Sequence, residues 1–426
     1  MTNPTLNRRR FLKAGVAISA LPFLSPAAFA LSPNPSAPSA DIAAYINSQI
    51  AKHKLPGAGL AFVEDAKVKW EAGFGVTNIE TGQPVTTKTL FQAASLSKPI
   101  FAYVIFQLID QGKLSLDDRL SDYVKPSDMA DHPWARQITV RDALQHTSGL
   151  PNWRDNDKWI EPLMPAYEPG TDSNYSGEAY HWLQRVAERI TGKGLDAFMR
   201  KQLFKPANLS DMSMLWQPSR DDREVYSHEL DDNGNIVLTE VQWHRERGTR
   251  YNEVATRWQY PMENWTTWDQ RKAASEMRSF EPTRMATIPF WEWATAGRFG
   301  IDSASSLRCT PGDYARFMCL MMTGTPRGEW QIKEETRQLM LTPQYYRPDV
   351  QNGVLPRGLG FGLETRPNGV AYYHWGKNGD SMHAVAIGDP QSRKAMVVMT
   401  HGVNGKAFIR ETVTDLIGEN YIGITT

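Results

Sequence analysis

A serine and a lysine stand three residues apart in the tetrad Ser95-Leu96-Ser97-Lys98, where the surrounding pattern predicts the beginning of a helix. Pro99 suits a first helical turn, and apolar residues recur at helical spacing up to Leu108. Residues three apart lie on one helix face, and a helix N-terminus favours the negative charge of a serine that is losing its proton. The tetrad therefore predicts a buried helix with a nucleophilic Ser95 at its N-terminal end; an ordinary N-cap serine is the alternative.

Residues 1–30 predict an export signal. The run Asn7-Arg8-Arg9-Arg10-Phe11-Leu12-Lys13 resembles a twin-arginine signal, with Asn where Ser or Thr is usual. An apolar stretch from Ala14 to Leu24 follows, which is too short for an ordinary membrane span, and Ala28-Phe29-Ala30 suits a cleavage site. We expect a periplasmic or secreted protein, exported by the twin-arginine route, with no stable membrane span after cleavage. An uncleaved anchor is the alternative.

After a Pro- and Ser-rich linker at residues 31–40, the remaining chain exceeds one ordinary core. We predict a sheet subdomain from residues 41–97 and 298–426, a mostly helical subdomain from 98–215, and a Trp-rich insertion at 216–297. The chain has 47 basic and 47 acidic residues; removing residues 1–30 removes four basic residues, which leaves 43 against 47 and a net charge of −4. This balance does not indicate nucleic acid or an anionic membrane surface as a partner.

Strand-like runs at both ends of the chain predict one antiparallel sheet and therefore an α+β fold. The runs are Gly57–Val63, Val68–Val76, Gly360–Thr365, Gly369–Gly376, His383–Ile387 and Ala395–Thr400. Helices are predicted beside the sheet at residues 41–53 and 406–417. Because a mostly helical segment follows Ser95, we expect this residue to lie in a cleft between the sheet and the helical subdomain.

The predicted insertion holds seven of the fourteen tryptophans: Trp216, Trp243, Trp258, Trp265, Trp268, Trp291 and Trp293. We expect it to lie over the cleft. In one interpretation these rings form the insertion's own small core. In the other, two or three of them line the substrate site by stacking.

The two cysteines, Cys309 and Cys319, are predicted to be free. Thr310-Pro311 suits a helix start, which places Cys319 about 13 Å along that helix at ~1.5 Å per residue. A disulfide needs alpha carbons within about 7 Å. We therefore expect two mostly buried thiols. No cysteine–histidine cluster has the spacing of metal ligands, so no metal or other cofactor is predicted.

Three further segments follow the tetrad at wide spacing: His146-Thr147-Ser148-Gly149-Leu150-Pro151, which suits the end of a helix begun at Thr139; Tyr175-Ser176-Gly177, ahead of a helix; and His374-Trp375-Gly376, in a strand. In this order they resemble the serine β-lactamase-related enzymes, and most closely the branch shared by class C β-lactamases, D-alanyl-D-alanine carboxypeptidases and family VIII esterases. The resemblance covers about residues 41–215 and 298–420. It implies a five-stranded antiparallel sheet flanked by helices, a mostly helical subdomain, and an active site in the cleft between them.

The resemblance also implies roles for three residues. Ser95 corresponds to the acylated nucleophile, and Lys98 would take its proton or hold the base in place. Tyr175 would protonate the leaving group and later activate the deacylating water. A tyrosine with an ordinary pKa is a poor base near neutrality, so cationic neighbours such as Lys98 would have to stabilise its phenolate or couple the proton movements.

His374, Gly376 and Lys377 are implied to line the other side of the cleft. Gly376 would let the substrate backbone approach closely, and the N–H groups of Ser95 and Lys377 would form the oxyanion hole. An alternative register places Lys377-Asn378-Gly379 in the strand motif. His374 fits better, because it leaves the usual distance to the next strand.

Two residues depart from the family pattern. Gly177 stands where an Asn usually helps to orient the substrate amide and the lysine. His374 stands where true β-lactamases carry a Lys, which favours an anionic substrate. Loss of such a donor costs about 1–3 kcal/mol where it leaves a buried partner unsatisfied. Both departures favour an esterase, and after it a D-amino-acid peptidase or amidase, over a β-lactamase.

We therefore expect an exported serine hydrolase that acts through an acyl-enzyme on a small ester or amide, with a small-molecule or peptidoglycan-derived substrate. The same fold supports acyl transfer, and the sequence does not separate water from another acceptor. Gly177 motivates a second alternative, a penicillin- or muropeptide-binding sensor with slow turnover. No motif identifies the substrate or the oligomeric state.

Overall fold

The computed structural model describes residues 35–125, 129, 131–153, 162–240, 242–280, 301–323, 330–346 and 355–425. The predicted export signal lies outside these ranges, as do Trp291, Trp293 and the side chain of Trp243. The predicted subdomain boundaries stay predictions.

A seven-stranded antiparallel sheet in the order β3-β2-β1-β11-β10-β9-β8 forms the centre of the fold. Two smaller sheets pair β4 with β7 and β5 with β6. The strands are β1 (Gly57–Glu64), β2 (Lys67–Asn78), β3 (Gln83–Pro84), β4 (Phe91–Ala94), β5 (His228–Leu230), β6 (Ile236–Leu238), β7 (Leu307–Cys309), β8 (Gly362–Arg366), β9 (Gly369–Asn378), β10 (Met382–Asp389) and β11 (Lys394–His401).

Helices cover both faces of the central sheet and fill the middle of the chain. The α-helices are α1 (Ala40–Lys52), α2 (Ser97–Asp110), α3 (Leu120–Tyr123), α4 (Pro133–Gln137), α5 (Val140–Gln145), α6 (Gly177–Thr191), α7 (Leu195–Met199), α8 (Trp243–Trp258), α9 (Thr267–Phe280), α10 (Pro311–Thr323), α11 (Glu334–Met340), α12 (Gly405–Ile417) and α13 (Ile422–Thr425). The described residues also include a π-helical turn at Arg200–Phe204 and 3-10 turns at Pro218–Arg223 and Met262–Asn264.

The two faces of the sheet bury alternate residues of the same strands, as the two-residue period of a strand requires. Leu60 and Val398 face the core under α1 and α12. Ala61 and Val397 face the opposite core, which also contains the buried side chains of α2. The central strands are therefore apolar on both faces.

The predicted α+β fold class is confirmed, with seven strands in the sheet where the resemblance implied five. Each of the six predicted runs coincides with a strand. The seventh strand is β3, whose two residues are too few to show an alternating pattern in the sequence. The segment His146–Pro151 was predicted to suit the end of the helix begun at Thr139; α5 ends just before it, at Gln145, and His146 follows with φ 65° in the left-handed region. The predicted free thiols are confirmed, with Cys309 buried and Cys319 partly buried.

Candidate active site

Ser95 lies at a sharp turn between β4 and α2. Ala94 adopts the left-handed region there (φ 49°). The Ser97 hydroxyl closes the turn, because it donates to the Ala94 carbonyl oxygen (2.6 Å) and accepts from the Leu307 N–H (2.9 Å). The pairing of β4 with β7 holds the same turn. The nucleophile candidate is thus fixed by a distant segment of the chain, and its side chain stays partly exposed.

The amine of Lys98 is buried beside Ser95. Lys98 Nζ donates to Ser95 Oγ (3.2 Å) and to the Ala304 carbonyl oxygen (2.9 Å). Burial lowers the pKa of Lys98 to about 7, although the negative charge of Asp302 opposes this shift. A substantial fraction of the amine is therefore neutral near pH 7, and a neutral amine can accept the Ser95 proton.

Tyr175 is buried beside Lys98, just before α6. Lys98 Nζ lies 4.6 Å from the centroid of the Tyr175 ring. Burial raises the pKa of Tyr175 above its ordinary value, while an interaction with Ser95 and the positive charge of Arg357 oppose the rise. Among the described residues the hydroxyl has no well-formed hydrogen bond. It is therefore protonated at neutral pH and suited to passing a proton rather than to acting as a phenolate base.

His146 supports the loop that carries Tyr175. The centroids of the two rings are 4.4 Å apart, and His146 Nδ1 accepts the N–H of Ser176 (3.1 Å). Burial, followed by the charges of Arg357 and Lys98, holds the pKa of His146 well below its usual range. The ring is therefore neutral, which leaves Nδ1 free to accept. The sequence identified His146 as part of a motif but gave no indication of this contact.

Arg357 is a further site residue, and sequence reasoning missed it. Its guanidinium carbon lies 6.0 Å from the Tyr175 ring centroid. Its positive charge lowers the pKa values of Tyr175, His146 and His374. The Arg357 N–H donates to the Tyr345 carbonyl oxygen (2.8 Å), which anchors its backbone. Its neighbours in the sequence form no motif that points to the site.

His374 lies on β9 and faces the same centre. Its ring centroid is 6.0 Å from that of Tyr175. Burial and the Lys98 charge lower the pKa of His374 to about 3. Its Nδ1 lies 2.7 Å from the Trp375 carbonyl oxygen, so Nδ1 carries the proton and donates. The neutral ring therefore presents Nε2 as a hydrogen-bond acceptor.

Gly376 and Lys377 follow on the same strand. A Cβ at Gly376 would lie 2.3 Å from the Ala93 carbonyl oxygen. The backbone of β4 therefore packs closely against this glycine. Lys377 pairs with His383 of β10, and its side chain forms an exposed ion pair with Asp380 (2.9 Å). The roles of both residues toward a substrate stay predictions.

A cavity of about 1170 Å³ is lined by sequence neighbours of this centre, although Ser95, Lys98, Tyr175 and His374 are not themselves in the lining. Its lining includes Gln92 at the start of the Ser95 turn, Ser305 next to the carbonyl that holds Lys98, and Lys377. Asn378, also in the lining, donates to the Ser305 carbonyl oxygen (3.2 Å) and so joins β9 to the Lys98 side.

The tryptophans of the predicted insertion divide between the two interpretations. Trp258 and Trp265 pack together with ring centroids 5.1 Å apart, and Trp265 is fully buried. Trp216 lines the cavity. Trp268 is 74% exposed. Within the described ranges, one tryptophan of this segment, Trp216, lines the cavity, and Trp153 from outside the segment also does so.

Across the described part of the chain, no group of three or more His, Cys, Asp or Glu side chains is placed to hold a metal ion. None of the helices in that part combines the length and the apolar character needed to cross a bilayer.

Comparison with known proteins shows the family of this chain. A sequence model of the family described as Beta-lactamase matches residues 42–418. The chain belongs to this family. Penicillin-binding protein 4 from Amycolatopsis lactamdurans is 32% identical over 189 residues, which cover 42% of this chain and 49% of that relative. N-acetylmuramyl-L-alanine amidase from Bacillus subtilis (strain 168) is 30% identical over 185 residues, 36% of this chain and 42% of that relative. The chain thus spans less than half the length of these relatives.

Solved structures show the same fold. The octameric penicillin-binding protein homologue from Pyrococcus abyssi superposes with a TM-score of 0.66 at 18% identity, covering 89% of this chain and 77% of that one. EstCE1, described as a hydrolase with promiscuous acyltransferase activity, superposes with a TM-score of 0.64 at 15% identity, covering 88% and 98%.

The structure explains one departure of this Beta-lactamase family member from the family motif. A Cβ at Gly177 would lie 2.7 Å from the Asn152 carbonyl oxygen and 2.7 Å from Cζ2 of Trp153. The Gly177 N–H donates to that carbonyl oxygen (2.9 Å). An Asn side chain at position 177 has no room unless Asn152 and Trp153 move.

Proposed function

We propose that this protein is an exported serine hydrolase that cleaves a small ester through an acyl-enzyme on Ser95. The observation that carries the proposal is the contact between a buried Lys98 amine and Ser95 Oγ (3.2 Å), beside a protonated Tyr175. Activation of a serine by a neighbouring base is the general requirement for a hydroxyl nucleophile.

In the acylation step, neutral Lys98 accepts the Ser95 proton while Oγ forms a bond to the substrate carbonyl carbon. The negative charge on the substrate oxygen is stabilised by the N–H groups of Ser95 and Lys377. When the ester bond breaks, the Tyr175 hydroxyl donates its proton to the leaving alkoxide and regains one from Lys98. The lysine amine is neutral again at the end of the step.

In the deacylation step the same groups work in reverse. Water takes the place of the alcohol and gives a proton through Tyr175 to Lys98 as its oxygen attacks the acyl carbon. The carboxylic acid leaves, and Ser95 recovers its proton from Lys98. Because the Tyr175 pKa is raised, Lys98 is the base and Tyr175 the carrier in both steps.

The electrostatics of His374 favour an ester over a β-lactam. Its ring is neutral near pH 7, so it supplies no positive charge to attract a substrate carboxylate. An amidase or D-amino-acid peptidase is the second candidate. The observation that favours it is the 30% identity to a relative named N-acetylmuramyl-L-alanine amidase. Acyl transfer and slow-turnover sensing are further alternatives on the same acyl-enzyme.

The test is hydrolysis of p-nitrophenyl butyrate by residues 31–426, by the Ser95→Ala variant, and by Ser48→Ala as a matched control on the exposed side of α1. We expect Ser95→Ala to lose turnover and Ser48→Ala to keep it. A fluorophosphonate should leave a mass adduct on Ser95. Full turnover by Ser95→Ala contradicts the proposal. An acyl adduct that persists without product release favours the sensor.

A further inference from the structure

We propose that the cavity beside Ser95 receives a hydroxyl-rich, sugar-like group of the substrate, packed against the rings of Trp153 and Trp216. Both rings line this cavity, whose volume of about 1170 Å³ leaves far more room than a short acyl chain fills. The inference rests on the proposed hydrolase function and specifies the substrate class of the same site.

Each of the two rings lies directly on a glycine. A Cβ at Gly248 would lie 2.2 Å from Cε3 of Trp216, and a Cβ at Gly177 would lie 2.7 Å from Cζ2 of Trp153. Trp216 Nε1 also donates to Asp221 Oδ1 (2.8 Å), which fixes the indole. The lining therefore holds two indole rings in defined positions, and an indole ring is a surface that suits the C–H face of a sugar ring.

The rest of the lining is rich in planar groups that donate and accept hydrogen bonds. They include the amides of Gln92, Asn152 and Asn378 and the charged side chains of Glu246, Arg247 and Arg250. Asn152 Oδ1 accepts the Gly177 N–H (3.2 Å), which leaves its NH2 group to other acceptors. An apolar substrate would cover the Asn152 NH2 group without pairing it, at a cost, whereas a substrate hydroxyl group can accept from it.

The charge pattern argues in the same direction. Carboxylates and guanidinium groups both line the cavity, so a group with one strong charge would meet repulsion as well as attraction. The neutral His374 beside the catalytic centre presents an acceptor, which suits a hydroxyl donor. A neutral group that is rich in hydroxyls satisfies both conditions.

The experiment compares two butyrate esters that each carry a six-membered ring: 6-O-butyryl-N-acetylglucosamine, which has hydroxyl and acetamido groups, and cyclohexylmethyl butyrate, which has neither. We expect kcat/KM to be at least about tenfold higher for the sugar ester, because a site built to pair hydroxyl groups discriminates against an analogue without them. An equal or lower kcat/KM for the sugar ester overturns the inference.

Matched tryptophan variants locate the effect. Trp216→Ala and Trp153→Ala should each reduce the preference for the sugar ester at least about threefold. Trp268→Ala should leave it unchanged, because that ring is 74% exposed and does not line the cavity. Gly248→Ala is a second variant that displaces the Trp216 ring without removing it. A preference that survives all three cavity variants overturns the placement of the sugar.

Fluorophosphonate labelling of Ser95 in the same preparation distinguishes a failure of the cavity inference from a failure of the proposed hydrolase. Labelling together with hydrolysis of simple esters but no sugar preference rejects only the inference about the cavity. No labelling and no turnover of either ester rejects the proposed hydrolase and, with it, the inference.

Discussion

Lys98 and Tyr175 carry opposite pKa shifts that have one cause. Burial disfavours the charged form of each group, so it lowers the pKa of the lysine to about 7 and raises that of the tyrosine. Near pH 7 the tyrosine is therefore neutral, and a substantial fraction of the lysine is neutral as well. A neutral amine can accept a proton and a neutral phenol can donate one, and the proposed acyl-enzyme reaction on Ser95 requires such a pair.

The Lys98 shift predicts the pH dependence of acylation. Below about pH 7 the amine is protonated and cannot act as a base, and above that pH it is neutral. The acylation rate should therefore rise through about pH 7 and level off above it. Lys98→Arg should reduce kcat/KM at least about 10²-fold, since a guanidinium stays charged. Stopped-flow measurement of p-nitrophenol release from pH 5 to 9 tests both. Lys88→Arg, at a 73% exposed side chain, is the control, and an unchanged profile in Lys98→Arg contradicts the assignment.

His146 should act on the reaction through Tyr175. His146→Asn can keep an acceptor for the Ser176 N–H and suits the left-handed backbone, whereas His146→Phe keeps a ring but loses the acceptor. We expect His146→Phe to lower kcat by about tenfold or more with little change in KM, and His146→Asn to recover part of the loss. Steady-state kinetics and thermal melting of both variants test this. Equal kcat values for the two variants would rule out a role for the acceptor.

Ser97 joins three elements around the nucleophile. Its hydroxyl bonds to the end of β4 and to the beginning of β7, while its own residue begins α2. The position of Ser95 therefore depends on a contact between strands that are far apart in the sequence.

Removing this hydroxyl should affect both stability and activity. Ser97→Ala leaves the buried N–H of Leu307 without its acceptor, at a cost of about 1–3 kcal/mol in the free energy of unfolding. Urea titration followed by circular dichroism measures the loss, with the exposed Ser48→Ala as reference. An Ser97→Ala variant as stable and as active as the reference would show that the β4–β7 pairing alone fixes the turn.

The elements of the fold were predictable to the extent that their signals are local. The strand Gly369–Gly376 was predicted from its own residues, and in the structure it continues two residues further, to Asn378. Arg357 reaches Tyr175 only because the chain folds, and no local pattern reports such a contact. The role of Gly177 was missed for the same reason, because its neighbour Trp153 is brought to it by tertiary structure. Family motifs pointed to Ser95, Lys98 and Tyr175 as candidate site residues, but the contacts of those residues could be seen only in the structure.

Across the whole molecule, the Trp-rich segment shares its core with the elements around the site. Val254 of α8 and Trp265 belong to the same buried cluster as Ile100 of α2 and Leu183 of α6. The segment that lines the cavity is thus continuous in packing with the helix that follows Ser95. A change in this segment can therefore reach the site through packed side chains.

The free thiols give a test of the fold as a whole. Burial raises the pKa of Cys319 to about 12 and that of Cys309 well above its usual value. Because the thiolate is the reactive form, both should react slowly with an aromatic disulfide reagent in the native protein. In denaturant without reductant we expect two thiols per chain to react. Zero reactive thiols in denaturant would indicate a disulfide, which the separation of β7 from the middle of α10 does not allow.

Export of the protein by the twin-arginine route is a proposal, and Arg8 and Arg9 allow a direct test of it. In Asn7-Arg8-Arg9-Arg10-Phe11 the pair that matches the twin-arginine signal is Arg8-Arg9, so Arg8→Lys/Arg9→Lys should stop export although it keeps the charge. Arg10→Lys is the matched control and should leave export intact. We expect the exported protein to begin at Leu31, as determined by N-terminal sequencing of the periplasmic or secreted fraction. If the double variant is exported as well as the control, the twin-arginine route is wrong. An intact Met1 on exported protein would instead support an uncleaved anchor, because the apolar stretch would then remain attached.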